Sequence, residues 1–175
     1  MKHQTKFLAF TALFSAIIAI LAQISIPLPG GIPITLQTFA IALCGYYLGW
    51  KQGLIAVGVY LALGACGVPV FASFGGGLAK FTGMTGGYLW GFLPLVFCCG
   101  ILKKRRWLAF LSGLLGLLLC HLCGIIQFSL VSGNGFWASF LVASAPYLIK
   151  DILSVFLAQL LALRLKNRLL YPSEQ

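Results

Sequence analysis

Long apolar runs dominate the chain, broken at intervals by glycine, proline and a few polar side chains. Six of these runs predict helices: Phe7 to Ser25, Ile34 to Gly49, Gly53 to Val68, Gly87 to Leu102, Trp107 to Val131 and Pro146 to Arg168. A bilayer crossing takes about 20 residues, so the shorter runs must tilt or borrow from neighbouring loops. Between the last two, Ser132-Gly133-Asn134-Gly135 predicts a turn, and Phe136 to Ala145 a short interfacial helix, since Trp137 and Phe140 suit the headgroup level. Ser144 is expected to cap the last helix, with Pro146 in its first turn. The interruptions at Ile32 to Thr38 and Gly67 to Gly77 carry the most information. Backbone that leaves the helix at membrane depth must be buried in protein or line a wet cavity. Two such breaks in a small bundle predict a pocket for a small molecule.

Composition supports the membrane reading. The chain is 61% hydrophobic and 8% charged, with a mean hydropathy of +1.02, against roughly 25% charged residues in a soluble domain. The whole of 1–175 is therefore expected to be a single membrane domain, with a long outer loop at about 69–86. No cleavable leader is expected, because the first apolar run continues into polytopic sequence.

A formal charge of +10 would suggest nucleic acid in a soluble protein. Its distribution argues otherwise. Lys2 and Lys6 precede the first run, Lys51 separates the second and third, Lys103 to Arg106 separate the fourth and fifth, and Arg164, Lys166 and Arg168 close the last. Basic junctions alternate with nearly uncharged ones. This is the positive-inside pattern of a polytopic protein with both termini in the cytoplasm, in contact with the lipid bilayer and with no nucleic acid as partner. The six cysteines lie inside apolar runs and are expected to act as small hydrophobes rather than disulfides. Cys120-His121-Leu122-Cys123 has a metal-like spacing but no second ligand pair, so no metal site is assigned. An intramembrane enzyme would need a nucleophile–base pair or a metal cluster. His121 and Asp151 are thin material for one, and the chain is read as a non-enzyme.

Two spacings carry chemistry. Ala9, Ala12, Ala16 and Ala19 lay small side chains along one stripe of the first helix, which suits either packing within the chain or close approach of a separate membrane subunit. In the last helix Tyr147, Lys150, Asp151 and Ser154 share one face. Asp151 and Glu174 are the two acidic residues of the chain. An ionisable group on a membrane helix is a functional candidate by default. Gln37, the Ser73 to Thr85 loop with Gly75-Gly76-Gly77, Lys80 and Thr82, and the Lys150–Asp151 pair all fall on the outer side, with Phe71, Phe74, Tyr88 and Tyr147 as aromatic walls. Apolar walls with a few polar groups make a ligand site. Lysine suits a ligand carboxylate, and aspartate suits N–H donors.

Pro33-Ile34-Thr35-Leu36-Gln37-Thr38, Tyr60-Leu61-Ala62-Leu63-Gly64, Gly67-Val68-Pro69-Val70-Phe71-Ala72 and Gly83-Met84-Thr85-Gly86-Gly87-Tyr88-Leu89-Trp90-Gly91-Phe92 occur in that order. Together they resemble the BioY family, the biotin-specific S components of energy-coupling factor transporters. The resemblance implies an all-α polytopic S-component fold of six transmembrane helices in the prokaryotic plasma membrane. It also implies biotin as transported ligand, no cofactor of the chain's own, and uptake energised by a transmembrane coupling (T) protein and two ATP-binding cassette ATPases. Asp151 matches the family's acidic residue and would accept from the ureido N–H groups. Ala12 and Ala16 match the motif that meets the coupling subunit. The chain has Ser154 where many members carry lysine, and Met84 where many carry proline. The expected substrate-binding set is Gln37, Phe71, Ser73, Lys80, Tyr88, Tyr147, Lys150 and Asp151, with the carboxylate partner open between Lys150 and Lys80. Another vitamin as ligand, or an assembly subunit with no ligand, are the alternatives.

Overall fold

In the computed structural model, residues 2–26, 32–102 and 105–170 are described. Lys103, Lys104 and Glu174 lie outside them. The described residues form eight helices: α1 (Lys2–Gln23), α2 (Gln37–Leu48), α3 (Trp50–Ala65), α4 (Ala79–Thr82), α5 (Gly86–Ile101), α6 (Arg106–Ser132), α7 (Phe136–Ala143) and α8 (Leu148–Leu170). Of the six predicted long helices, α3, α5, α6 and α8 stand within three residues of expectation, and the interfacial segment is helical. The first begins five residues earlier than expected, at Lys2, and the second starts late. It begins at Gln37 rather than Ile34, because Ile34–Thr35 (β2) pairs antiparallel with Ser25–Ile26 (β1). The bundle is thus not purely helical, although each strand is only two residues long.

Two helical stretches, Gln4–Gln23 and Arg106–Ser132, are long and apolar enough to cross a membrane, with mean hydropathies of 2.0 and 2.2. The 12 residues of α2 extend only about 18 Å at 1.5 Å per residue.

Contacts between helix ends show that the six long helices alternate in direction. One end of the bundle collects Gln23, Gln37, Phe71, Gly86 and Lys150: Gln23 bonds Phe71 O, Lys150 bonds Thr35 O, and Gln127 late in α6 bonds the carbonyls of Phe81 and Gly83. The other end joins Gln52 to Phe7, Gln159 to Arg106 and Lys166 to Tyr46. Lys6, Lys51, Arg105, Arg106, Arg164 and Lys166 all belong to this second, basic end. Lys80 and Lys150 stand at the first.

The core is built from Ile18, Ile41, Cys44, Val57, Tyr60, Leu95, Val96 and Val155, each with essentially no exposed surface. The six cysteines are free thiols: Cys44, Cys98, Cys99 and Cys120 are buried as expected, Cys123 is partly buried, and Cys66, just past the end of α3, is exposed against expectation. Helices α5 and α6 pack backbone to backbone. A Cβ on Gly87 would sit 2.2 Å from Cys123 O, and one on Gly91 2.7 Å from Cys120 Cα. Small residues permit that approach where no water drives helices together.

A candidate ligand cavity and its polar network

A cavity of about 520 Å³ opens at the non-basic end, within the 300–1,000 Å³ usual for small-molecule sites. Its walls come from Pro33, Gln37, Phe71, Ala72, Ser73, Gly76, Ala79, Lys80, Gly83, Met84, Thr85 and Leu89. The two helix breaks therefore do line one concave space. Phe71 is buried at 3% exposure, edge-on to Tyr60 and Phe81. It fits because residue 64 is glycine: a Cβ there would lie 2.0 Å from the Phe71 ring. Phe74, expected among the aromatic walls, is 72% exposed and lies outside the lining.

The loop over the cavity is held in an unusual backbone. Ser73 and Phe74 have φ of 56° and 55°, left-handed values that non-glycine residues seldom adopt. Such strain persists where surroundings over-determine it, and here α1 does so. The Gln23 amide donates to Val70 O and Phe71 O, both at 3.2 Å, its Oε1 accepts from Phe74 N at 2.9 Å, and Ser25 Oγ lies 3.0 Å from Ser73 Oγ. Lys80, exposed at the rim, runs its aliphatic stem over Gly75.

Gln37 is the buried polar group of the wall. Its Nε2 donates to Tyr60 OH at 2.7 Å, and its Oε1 accepts from Thr35 Oγ1 at 3.0 Å. Thr35 continues the chain of contacts, because its carbonyl accepts from Lys150 Nζ at 2.9 Å.

Tyr88, Tyr147, Lys150 and Asp151 stand outside the cavity lining, which separates the expected set into two groups joined through Thr35. Asp151 is 5% exposed. Its Oδ2 lies 3.3 Å from His121 Nε2, and Lys150 Nζ is in ion-pair contact with Oδ1. The ammonium therefore occupies Oδ1, and Thr38 at the start of α2 is a further neighbour of the carboxylate. Tyr88 OH donates to Ala143 O and meets Ser144 Oγ at 3.0 Å, while Ser144 Oγ lies 2.9 Å from His121 Nδ1. The Ser144 side chain is thus spent on this network rather than on capping α8. Tyr147 OH donates to Ile32 O and ties the start of α8 to the strand region.

The expected binding set left out Gln23, Thr35, His121 and Ser144. Gln23 was legible as a polar residue closing an apolar helix. The other three show their role only through partners distant in sequence. On α1, Ala9, Ala12 and Ala16 are exposed, beside exposed Leu8, Leu13 and Ile20, while Ala19 packs against the core.

The class of protein follows from the fold. A solved structure described as the S-component for biotin from an ECF-type ABC transporter matches with a TM-score of 0.87 and 29% identity, over 95% of this chain and 93% of that one. The family model described as the BioY family matches residues 1–171, and the chain belongs to the BioY family. Among its relatives are a biotin transporter BioY of Thermotoga maritima, 41% identical over 89% of this chain and 92% of that protein, and a probable biotin transporter BioY of Pyrococcus horikoshii, 37% identical over 94% and 98%. These relatives are transporters, not enzymes.

Proposed function

We propose that this protein is the biotin-capturing S component of an energy-coupling factor transporter, taking the vitamin into the cavity beneath the 70–87 loop. Six helices would cross the plasma membrane, with both termini and the basic end in the cytoplasm and the cavity facing out. The segregation of basic residues to the opposite end supports this orientation. No Walker-type sequence accompanies the cavity, so a coupling (T) protein and two ATPases would supply the energy, docking on the exposed Ala12–Ala16 stripe.

The observation that carries the reading is the apolar cavity walled by one buried, doubly held amide, Gln37, and joined through Thr35 to a buried carboxylate. Apolar walls give a thioether ring and alkyl tail their affinity, and a few fixed polar groups give orientation. Gln37 and Asp151 would address the ureido head. Lys80 is favoured for the ligand carboxylate, because it lines the cavity while Lys150 is engaged by Asp151 and Thr35 O. The loop, held by Gln23, would serve as lid.

A ligand that binds only the folded state stabilises it by mass action, about 2.7 kcal/mol at 100 times Kd. Thermal unfolding of the detergent-purified protein with biotin, riboflavin or thiamine is the test. A rise with biotin alone is expected. A rise with another vitamin instead, or with none, overturns the reading in favour of a different S component or of an assembly subunit.

A further inference from the structure

His121 has no part in the proposed function, yet it touches the key carboxylate. It is 4% exposed on α6, and both of its ring nitrogens are engaged: Nε2 with Asp151 Oδ2 at 3.3 Å, Nδ1 with Ser144 Oγ at 2.9 Å. A carboxylate paired with lysine only accepts hydrogen bonds, so the hydrogen in the first contact sits on Nε2. The imidazole plane is itself held. Tyr88 meets it edge-on at 5.8 Å and 90°, and Tyr88 OH is anchored by Ala143 O and Ser144 Oγ. Tyr88 in turn is seated by Gly124, whose Cβ would fall 2.3 Å from the ring. One turn of α6 thus carries both the histidine and the space for the tyrosine that fixes it. The carboxylate is thus held at both oxygens, Oδ2 by the fixed imidazole and Oδ1 by the ion pair with Lys150.

We infer that His121 is a positioning residue for ligand recognition: it holds the Asp151 carboxylate through Oδ2 and so fixes the orientation in which the Lys150–Asp151 pair meets the bound molecule. The inference rests on the biotin reading and adds to it a residue that acts through Asp151 without touching the ligand. A buried carboxylate with a free rotor would sample several orientations, whereas one fixed by a held imidazole is pre-organised and loses less on binding.

Two variants separate positioning from packing. His121→Phe keeps an aromatic ring against Tyr88 and removes the N–H donor. His121→Gln removes the ring and keeps a donor near the Nε2 position. Loss of a hydrogen bond to a charged group weakens binding by about tenfold or more. Biotin and biotin methyl ester are titrated against each purified variant and the unaltered protein. The expected result is that His121→Phe loses about tenfold or more for both ligands, while His121→Gln stays within about threefold. Equal ratios for acid and ester place the effect at the ureido end. Phe binding like the unaltered protein while Gln fails assigns His121 to packing and overturns the inference, as does equal loss by both variants or a loss confined to the free acid. Should the Phe variant not fold, retention of binding by the Gln variant supports the inference and its loss overturns it. If the unaltered protein binds neither ligand, the biotin reading itself falls and takes this inference with it.

Discussion

Asp151 shows how a membrane protein keeps a charge it cannot hydrate. A charged group at a helix centre is unfavourable by about 2.5–3.5 kcal/mol on insertion scales. Here it lies near the start of α8, in contact with Lys150 and His121. Its rarity made it legible in the sequence, as were Gln37, Phe71, Ser73 and Lys80, which line one cavity. Its surroundings were not legible. His121 is 30 positions from Asp151, and no local periodicity links residues that meet only after α6 and α8 pack. Two outcomes are expected at this scale. Asp151→Asn, which keeps the shape and removes the charge, should weaken biotin binding by about tenfold or more, while Glu174→Gln in the tail should leave it unchanged. Calorimetric titration of both variants checks this, and equal affinities would contradict it. Lys80→Met should weaken biotin more than biotin methyl ester, whereas Lys150→Met should weaken both alike by unbalancing Asp151. The reverse pattern would return the carboxylate role to Lys150.

Elements were easier to read than their junctions. Long apolar periodicity gave α3, α5, α6 and α8 within a few residues. A pair of two-residue strands has too little pattern to announce itself, and that is why Ile34–Thr35 looked like helix. Two further expectations belong here. Gly91 packs its bare backbone on Cys120, whereas a Cβ on Gly58 would meet nothing within 4 Å. Gly91→Ala should therefore lower stability by about 1–3 kcal/mol through overpacking, and Gly58→Ala should be neutral or slightly stabilising. Melting curves of the two variants distinguish them, and a matched pair would refute the close-contact explanation. The second concerns the loop over the cavity. Gln23 at the end of α1 makes three of the bonds that hold Ser73 and Phe74 in left-handed geometry. Gln23→Leu should release that loop, so that protease cleavage between about Val70 and Gly77 becomes faster in the apo protein and biotin leaves sooner. Unchanged cleavage and unchanged dissociation would show that the strain is held by other contacts.

At the scale of the whole molecule, polarity is the organising fact. Chemistry gathers at one end, with the cavity and the Asp151 network, and basic side chains gather at the other. Alternating helix direction makes this possible, because it brings every second junction to the same end. The charge pattern in the sequence foretold that arrangement, since each basic cluster marks a junction of one kind. The exposed alanines Ala9, Ala12 and Ala16 lie on α1, the same helix whose last residue bonds the loop. On the proposed function, the cavity takes biotin without help from any other subunit. Equilibrium binding of radiolabelled biotin to the purified full chain measures this. Saturable one-to-one binding, displaced by unlabelled biotin and unmoved by riboflavin or thiamine, is the predicted result; absence of saturable binding by a folded, monodisperse preparation would contradict it.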